Sequence, residues 1–320
     1  MSFVKVSNFG DDTVSDIVSA NIVDFIDWGL LDIGAYVNVT NGVTDGMGVD
    51  YTNMKMIDIE DQPTGTVWQT QRMNWVWESG MAVNTPISVS GVTVDGTFHA
   101  SDSTGTYEHY YNYPLGCVVF SSAVPKTSTV SINHSYKVVK VEECNSEEMF
   151  SRLQEGTIGN TTNFNSDGKD DYSIHGVNRT QIPWIGVEMV SRRSNGGVEI
   201  GNTLEYNGLS VLFHILAPDN QTVKRLSDII KNQHRQRIYI YDTNLVTAAD
   251  DTPLDYRGMV TDSAKTFPEL TAPSGEGGYR IDSYLGSSMR FLDDNSNQPT
   301  QKLGDELFYR PVRMGVEVIF

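Results

Sequence analysis

The sequence predicts a strand-rich α+β fold, and three observations carry that expectation. Most apolar residues alternate with a period of two, glycine- and Asx-containing pairs punctuate them at short intervals, and only three stretches show helical spacing. A glycine count of 28, a charged fraction of 20% and abundant Thr, Ser and Asn suit short strands and frequent turns. At 320 residues the chain is long enough for two ordinary cores. The expected order is an N-terminal helical segment (1–34), a β-sandwich-like or small-barrel domain (35–155), a polar linker (156–175) and a second α+β domain (176–320).

The first helix is expected over 12–33. There Val14, Ile17, Val18, Ile22, Phe25, Ile26 and Leu30 recur at spacings of three and four, Asp12 or Thr13 supplies a cap, and Gly34 ends the helix. Trp28 and Leu31 fall outside the main stripe, which leaves a neighbouring subunit as an alternative packing partner to the helix's own domain. Beyond it, strands are expected at 35–40, 53–59, 66–78, 86–98, 106–113, 117–121 and 129–141, with turns at Asn41-Gly42, Asp45-Gly46, Asp95-Gly96 and around Pro114 and Gly116. A second short helix is expected at 144–155.

In the second region the strands 182–192 and 209–217 precede a helix within 218–236. Val223, Leu226, Ile229 and Ile230 form its apolar face, and Asp219 or Asn220 its cap. A strand at 237–242 and a closing strand at 306–320 are expected to complete one mainly antiparallel sheet carrying one packed helix.

The formal net charge is −18, and it is uneven: residues 1–150 hold 6 Lys/Arg against 19 Asp/Glu. Such a surface repels nucleic-acid phosphates, so specific DNA binding is disfavoured; ordinary solubility charge is the preferred reading of the surplus, and an acidic channel wall that lets DNA slide past is the functional one. Cys117 and Cys144 are too few for a disulfide framework and lack zinc spacing. Residues 1–12 lack the features of a secretory signal, and no run approaches a membrane span.

Catalytic signatures are missing. The six histidines are scattered without HExxH spacing, and His214 sits within an apolar strand, where a packed, hydrogen-bonded core residue is the expected reading. The chain has no GxSxG elbow, no phosphate-binding GxxxxGK and no dinucleotide fingerprint. Asn163, Asn165, Asp167, Gly168 and Asp171 follow a calcium-loop pattern, but Ile174 stands where the bidentate Glu belongs, so an ordinary polar loop is the reading preferred. Trp68, Trp75 and Trp77 with Tyr107, Tyr110, Tyr111 and Tyr113 could form an aromatic platform for sugars, Trp75 and Trp77 sharing one face of a strand. A half-buried strand or a subunit interface explains the same residues. No cofactor, metal site or enzymatic activity is expected.

The segments WESG (77–80), TYEHYYNYPLGCVVF (106–120) and VSINHSYKVVKVEE (130–143) resemble virion structural proteins of tailed phages. IPWIGVEMV, LSVLFHILAPDNQTVKRLSDIIKNQ and RIYIYD resemble the strand, strand, helix, strand order of tail-terminator and tail-completion proteins. The resemblance implies a non-catalytic subunit that forms a ring, hexameric by expectation, in the neck or upper tail, contacting neck, tail-tube or sheath proteins with genomic DNA passing through. It implies a virion location after synthesis in the host cytoplasm and no membrane association. Subunit contacts are expected at Trp28, Trp75, Trp77, Tyr110, Phe213 and Phe320. The alternatives are a baseplate or receptor-binding module and, in a different class, a polysaccharide depolymerase, for which two facing carboxylates in a cleft are required.

Overall fold

A computed structural model describes residues 12–40, 50–59, 62–145, 147, 157–158, 180–195, 206–281, 288–292, 298–304 and 307–319. Its first element is α1 (Val14–Asp32). The Thr13 N–H donates to the Asp16 carboxylate at 2.8 Å, an acid in the first turn where the helix dipole favours it. At the other end Gly34 takes φ +86°, its N–H donates to the Leu31 carbonyl, and the Ala35 N–H reaches back to Leu30 at 2.9 Å. That pair of bonds closes the helix through a left-handed residue.

Ten short strands follow: β1 (Tyr36–Val39), β2 (Lys55–Ile57), β3 (Val67–Gln69), β4 (Gly91–Val94), β5 (Thr97–Ala100), β6 (His109–Asn112), β7 (Cys117–Phe120), β8 (Val130–Ser131), β9 (His134–Lys137) and β10 (Lys140–Glu143). The sandwich or barrel expected for 35–155 is realised as three small antiparallel sheets, in the orders β2-β3-β7-β6, β5-β4-β8 and β1-β9. They share one core that includes Trp68, Trp75, Val92, Tyr111, Phe120 and Ile132. Turns cut the expected long strands. The 86–98 run breaks at Asp95 (φ +48°) and Gly96 (φ +81°), and the 66–78 run stops at Gln69 before Asn74 enters the left-handed region at φ +56°. A Cβ on Gly116 would lie 2.6 Å from the Arg72 carbonyl, so this close approach of two loops requires glycine.

The remaining strands are β11 (Thr157–Ile158), β12 (Thr180–Gln181), β13 (Trp184–Asn195), β14 (Tyr206–Ala217), β15 (Arg237–Tyr239), β16 (Ser288–Leu292), β17 (Gln301–Gly304) and β18 (Leu307–Ile319). Helix α2 (Asn220–Lys231) separates β14 from β15, and the Asp219 carboxylate accepts from the Thr222 N–H at 2.8 Å as its cap. A seven-stranded sheet runs β10-β13-β14-β18-β16-β15, with β17 also on β18, and curls into a half-barrel. Only its β10–β13 pair is parallel. The protein is therefore α+β and strand-rich. The expected helix 144–155 apart from residues 144, 145 and 147, the linker apart from β11, and the calcium-like loop 163–174 lie outside the described residues.

Two features of the architecture depart from a linear reading. First, Val14, Val18, Ile22, Ile26 and Leu30 of α1 join the core of the second region, against Ile185, Val211, Phe213, Val316 and others. The apolar stripe of the helix thus covers the large sheet, while Leu31 and Trp28 pack against Tyr36, Val76 and Met81 of the first region, and among the described residues α1 joins α2 on that sheet where one helix was expected. Second, β10 leaves the first region to pair with β13, so main-chain hydrogen bonds stitch the two regions together.

Strand alternation divides the sheet cleanly. Leu209, Val211, Phe213 and Ile215 of β14, with Val312, Met314, Val316 and Val318 of β18, point to the helices. Ser210, Leu212, His214 and Leu216 point the other way. At one end of this second face Leu216 joins Cys144, Ile182 and Trp184 in a small cluster.

Candidate functional site

Three distant stretches converge beside α1. Asp24 and Asp27 are one turn apart on the helix and so project together. Glu78 comes from the loop that Asn74 turns, Lys137 ends β9, and Tyr241 follows β15. The Lys137 ammonium donates to the Asp27 and the Glu78 carboxylates, each at 2.6 Å. The Tyr241 hydroxyl donates to the Asp24 carboxylate. Side-chain exposure is 14% for Lys137 and 7% for Glu78, so these charges are largely removed from water.

The electrostatics follow from that removal. Burial pushes the Asp24 carboxyl up to about 6, against the opposing hydrogen bond from Tyr241 and with added repulsion from Asp27. Burial also raises Glu78, partly offset by Lys137. For Lys137 burial works against the charge, but Asp27 and Glu78 outweigh it and hold the ammonium protonated. Burial and the neighbouring Asp24 charge raise Tyr241. A cavity of about 420 Å³ opens beside the cluster, walled by Trp75, Trp77, Tyr113, Lys140, Pro253 and Leu270 among others. A smaller cleft continues past Trp28, Trp77 and Lys265.

Of the expected contact residues, Trp28 and Trp77 are half-buried and meet in that smaller cleft. Trp75 is only 1% exposed, packed 5.0 Å from the His134 ring, and Phe213 is fully buried under the helices. Both are core residues of their own chain and cannot face a partner. Tyr110 is half-buried, its ring 5.3 Å from the Arg257 guanidinium. Phe320 lies outside the described residues.

The sugar platform does not form as drawn from the sequence, because Trp68 and Trp75 are packed in the core, 3% and 1% exposed, and only Trp77 of the three is half-buried. His214, 2% exposed, is hydrogen-bonded to Tyr309 at 2.9 Å and Glu188 at 2.8 Å, the satisfied interior histidine that its apolar strand suggests. The carboxylate cluster carried no sequence motif. Only the i, i+3 spacing of Asp24 and Asp27 within an otherwise apolar helix hinted at it. Among the described residues no group of three or more His, Cys, Asp or Glu side chains is arranged to hold a metal, and no helix is long and apolar enough to cross a membrane. No family model, curated protein or solved structure matches the chain.

Proposed function

We propose that the chain is a structural subunit of a tailed-phage virion that assembles with copies of itself into a ring in the neck or upper tail, where it caps or joins the tail tube or sheath. The observation that carries this reading is the second face of the curled sheet. α1 and α2 seal one face, while the other presents Val190 (45% exposed), Leu292 (37% exposed) and the half-buried Leu212 beside the exposed Arg290 and Arg313. Apolar side chains mixed with arginine on a rigid, long-stranded surface have the composition of a subunit contact. The fold is a strand-rich α+β sheet curled into a half-barrel, and the terminator-like part of the proposal rests on the sequence resemblance.

On this reading the subunit works by geometry: one surface of each copy meets a different surface of the next, and the rotation closes a ring around the passing DNA without specific contacts to it. The acidic balance of the first region favours such non-adhesive passage. The protein is made in the host cytoplasm and resides in the virion.

Gold-labelled antibody on purified particles tests the position, and light scattering with negative-stain microscopy of the purified chain tests the ring. Label at the head–tail junction together with closed rings is the expected result. Label at the distal tip transfers the assignment to the baseplate or receptor-binding alternative. A chain that stays monomeric and never labels particles, but degrades bacterial surface polysaccharide, overturns it in favour of the depolymerase.

A further inference from the structure

The Lys137 cluster holds three carboxylates against one ammonium at a junction of four chain segments. Among the described residues the neighbouring cations are already engaged by other acids. Lys140 also borders the cavity but is paired with Glu142 at 2.7 Å, and Lys265 is bound to Asp251 and Tyr279. On the far side of Tyr241 lies another acid, Asp12, which also raises Tyr241 and accepts from the Thr243 hydroxyl. With all three acids ionised, Asp24 confronts Asp27 and Glu78, while Lys137 is already shared between those two.

We propose that this cluster is a proton-operated latch: uptake of one proton at Asp24 closes the junction of α1 with the β-rich region and the Tyr241 segment, and its release loosens that junction. A neutral Asp24 keeps its hydrogen bond with Tyr241 and leaves Asp27, Glu78 and Lys137 as a compact triad. An ionised Asp24 adds a half-buried charge that is opposed only by the Tyr241 hydroxyl and by a Lys137 already shared between two acids, and water admitted from the adjoining cavity relieves it.

The direction is opposite to ordinary acid unfolding. The folded-state value of about 6 lies above the usual 3.8, so the closed junction binds the proton more tightly than the open one. Its advantage is fully present below the ordinary value and is lost as pH rises through about 6. The latch does not depend on ring assembly.

Amide hydrogen exchange of the full chain, read by mass spectrometry at pH 5.0 and 7.5 and corrected for intrinsic rates, tests it. Peptides covering α1 and residues 237–248 are expected to open about tenfold more at the higher pH, with β14 and β18 unchanged as internal reference. Asp24→Asn should abolish the pH dependence. Tyr241→Phe removes the hydrogen bond that lowers the Asp24 value, so it should keep the transition and move it to higher pH. Wild-type exchange that is flat between the two pH values, a persistent slope in Asp24→Asn, or an unmoved transition in Tyr241→Phe overturns the latch.

Discussion

The Asn21 side chain pairs with both main-chain groups of Tyr241, donating to its carbonyl and accepting from its N–H, each at 2.9 Å and across 220 residues of sequence. Asn21 is fully buried, so the amide acts as a single rung of β-ladder between α1 and the chain leaving β15. Asn21→Ala strands two buried backbone groups. The expected loss is about 2–4 kcal/mol of unfolding free energy, seen as a lower urea midpoint at unchanged slope. A loss under about 0.5 kcal/mol would show that the pairing adds nothing to stability.

Among the described residues Lys137 is the cation that Asp27 and Glu78 share, and replacing it should be costly in a pH-dependent way. Lys137→Met keeps the stem volume and removes the charge, which leaves two mostly buried carboxylates facing each other. The expected loss near pH 7.5 is about 3–5 kcal/mol. Burial already raises Glu78, so lowering the pH protonates it readily in the variant and the loss should shrink by pH 4.5. Urea titrations of both proteins at the two pH values check this, and an equal loss at both would contradict it.

Asp219 tests the opposite sign. Hydrogen bonds from the Thr222 hydroxyl and N–H hold its carboxyl below the usual value. An acid depressed on folding contributes its stability above the unfolded value, and that contribution is lost as pH falls below it. Asp219→Ala should cost about 1 kcal/mol at neutral pH, and the difference from wild type should narrow below about pH 4. Far-ultraviolet circular dichroism during denaturation at several pH values measures it. A pH-independent difference would mean that the cap acts only through neutral hydrogen bonding.

These cases also show which features were legible in the sequence. Local chemistry spoke clearly: the stripe from Val14 to Leu30, its stop at Gly34, the cap at Asp219, and the alternation that made β13, β14 and β18 one sheet. Features set by distant partners did not. Nothing beside Asn21 in the sequence points to Tyr241, and nothing in KVEE announces that β10 pairs in parallel with β13 rather than closing the first region. The helical stripe stated that α1 buries one face, but not which sheet lies beneath it. The tryptophans were no more legible: Trp75 is packed in the core at 1% exposure and Trp77 is half-buried, although both border the cavity. The charged cluster stayed hidden because its members, Asp24, Asp27, Glu78 and Lys137, meet only after two regions have docked.

Leu212 and Phe213 make the sharpest test of the assembly surface, because adjacent residues on a strand face opposite sides of the sheet. The large apolar Phe213 drew attention in the sequence as a contact residue, yet it is fully buried between the sheet and its helices. Phe213→Ala should therefore unfold the protein by about 3–5 kcal/mol whatever its state of assembly. Leu212, on the second face among Val190, Leu292 and Arg313, should behave in reverse. Leu212→Arg places a charge on a half-exposed surface, where its cost to the isolated subunit should stay near 1 kcal/mol, whereas inside a subunit contact an unpaired charge is far more costly. Light scattering at matched concentration should show Leu212→Arg folded but dissociated. If it instead assembles as wild type does, the second face of the sheet is not the contact, and the ring must be built through another surface.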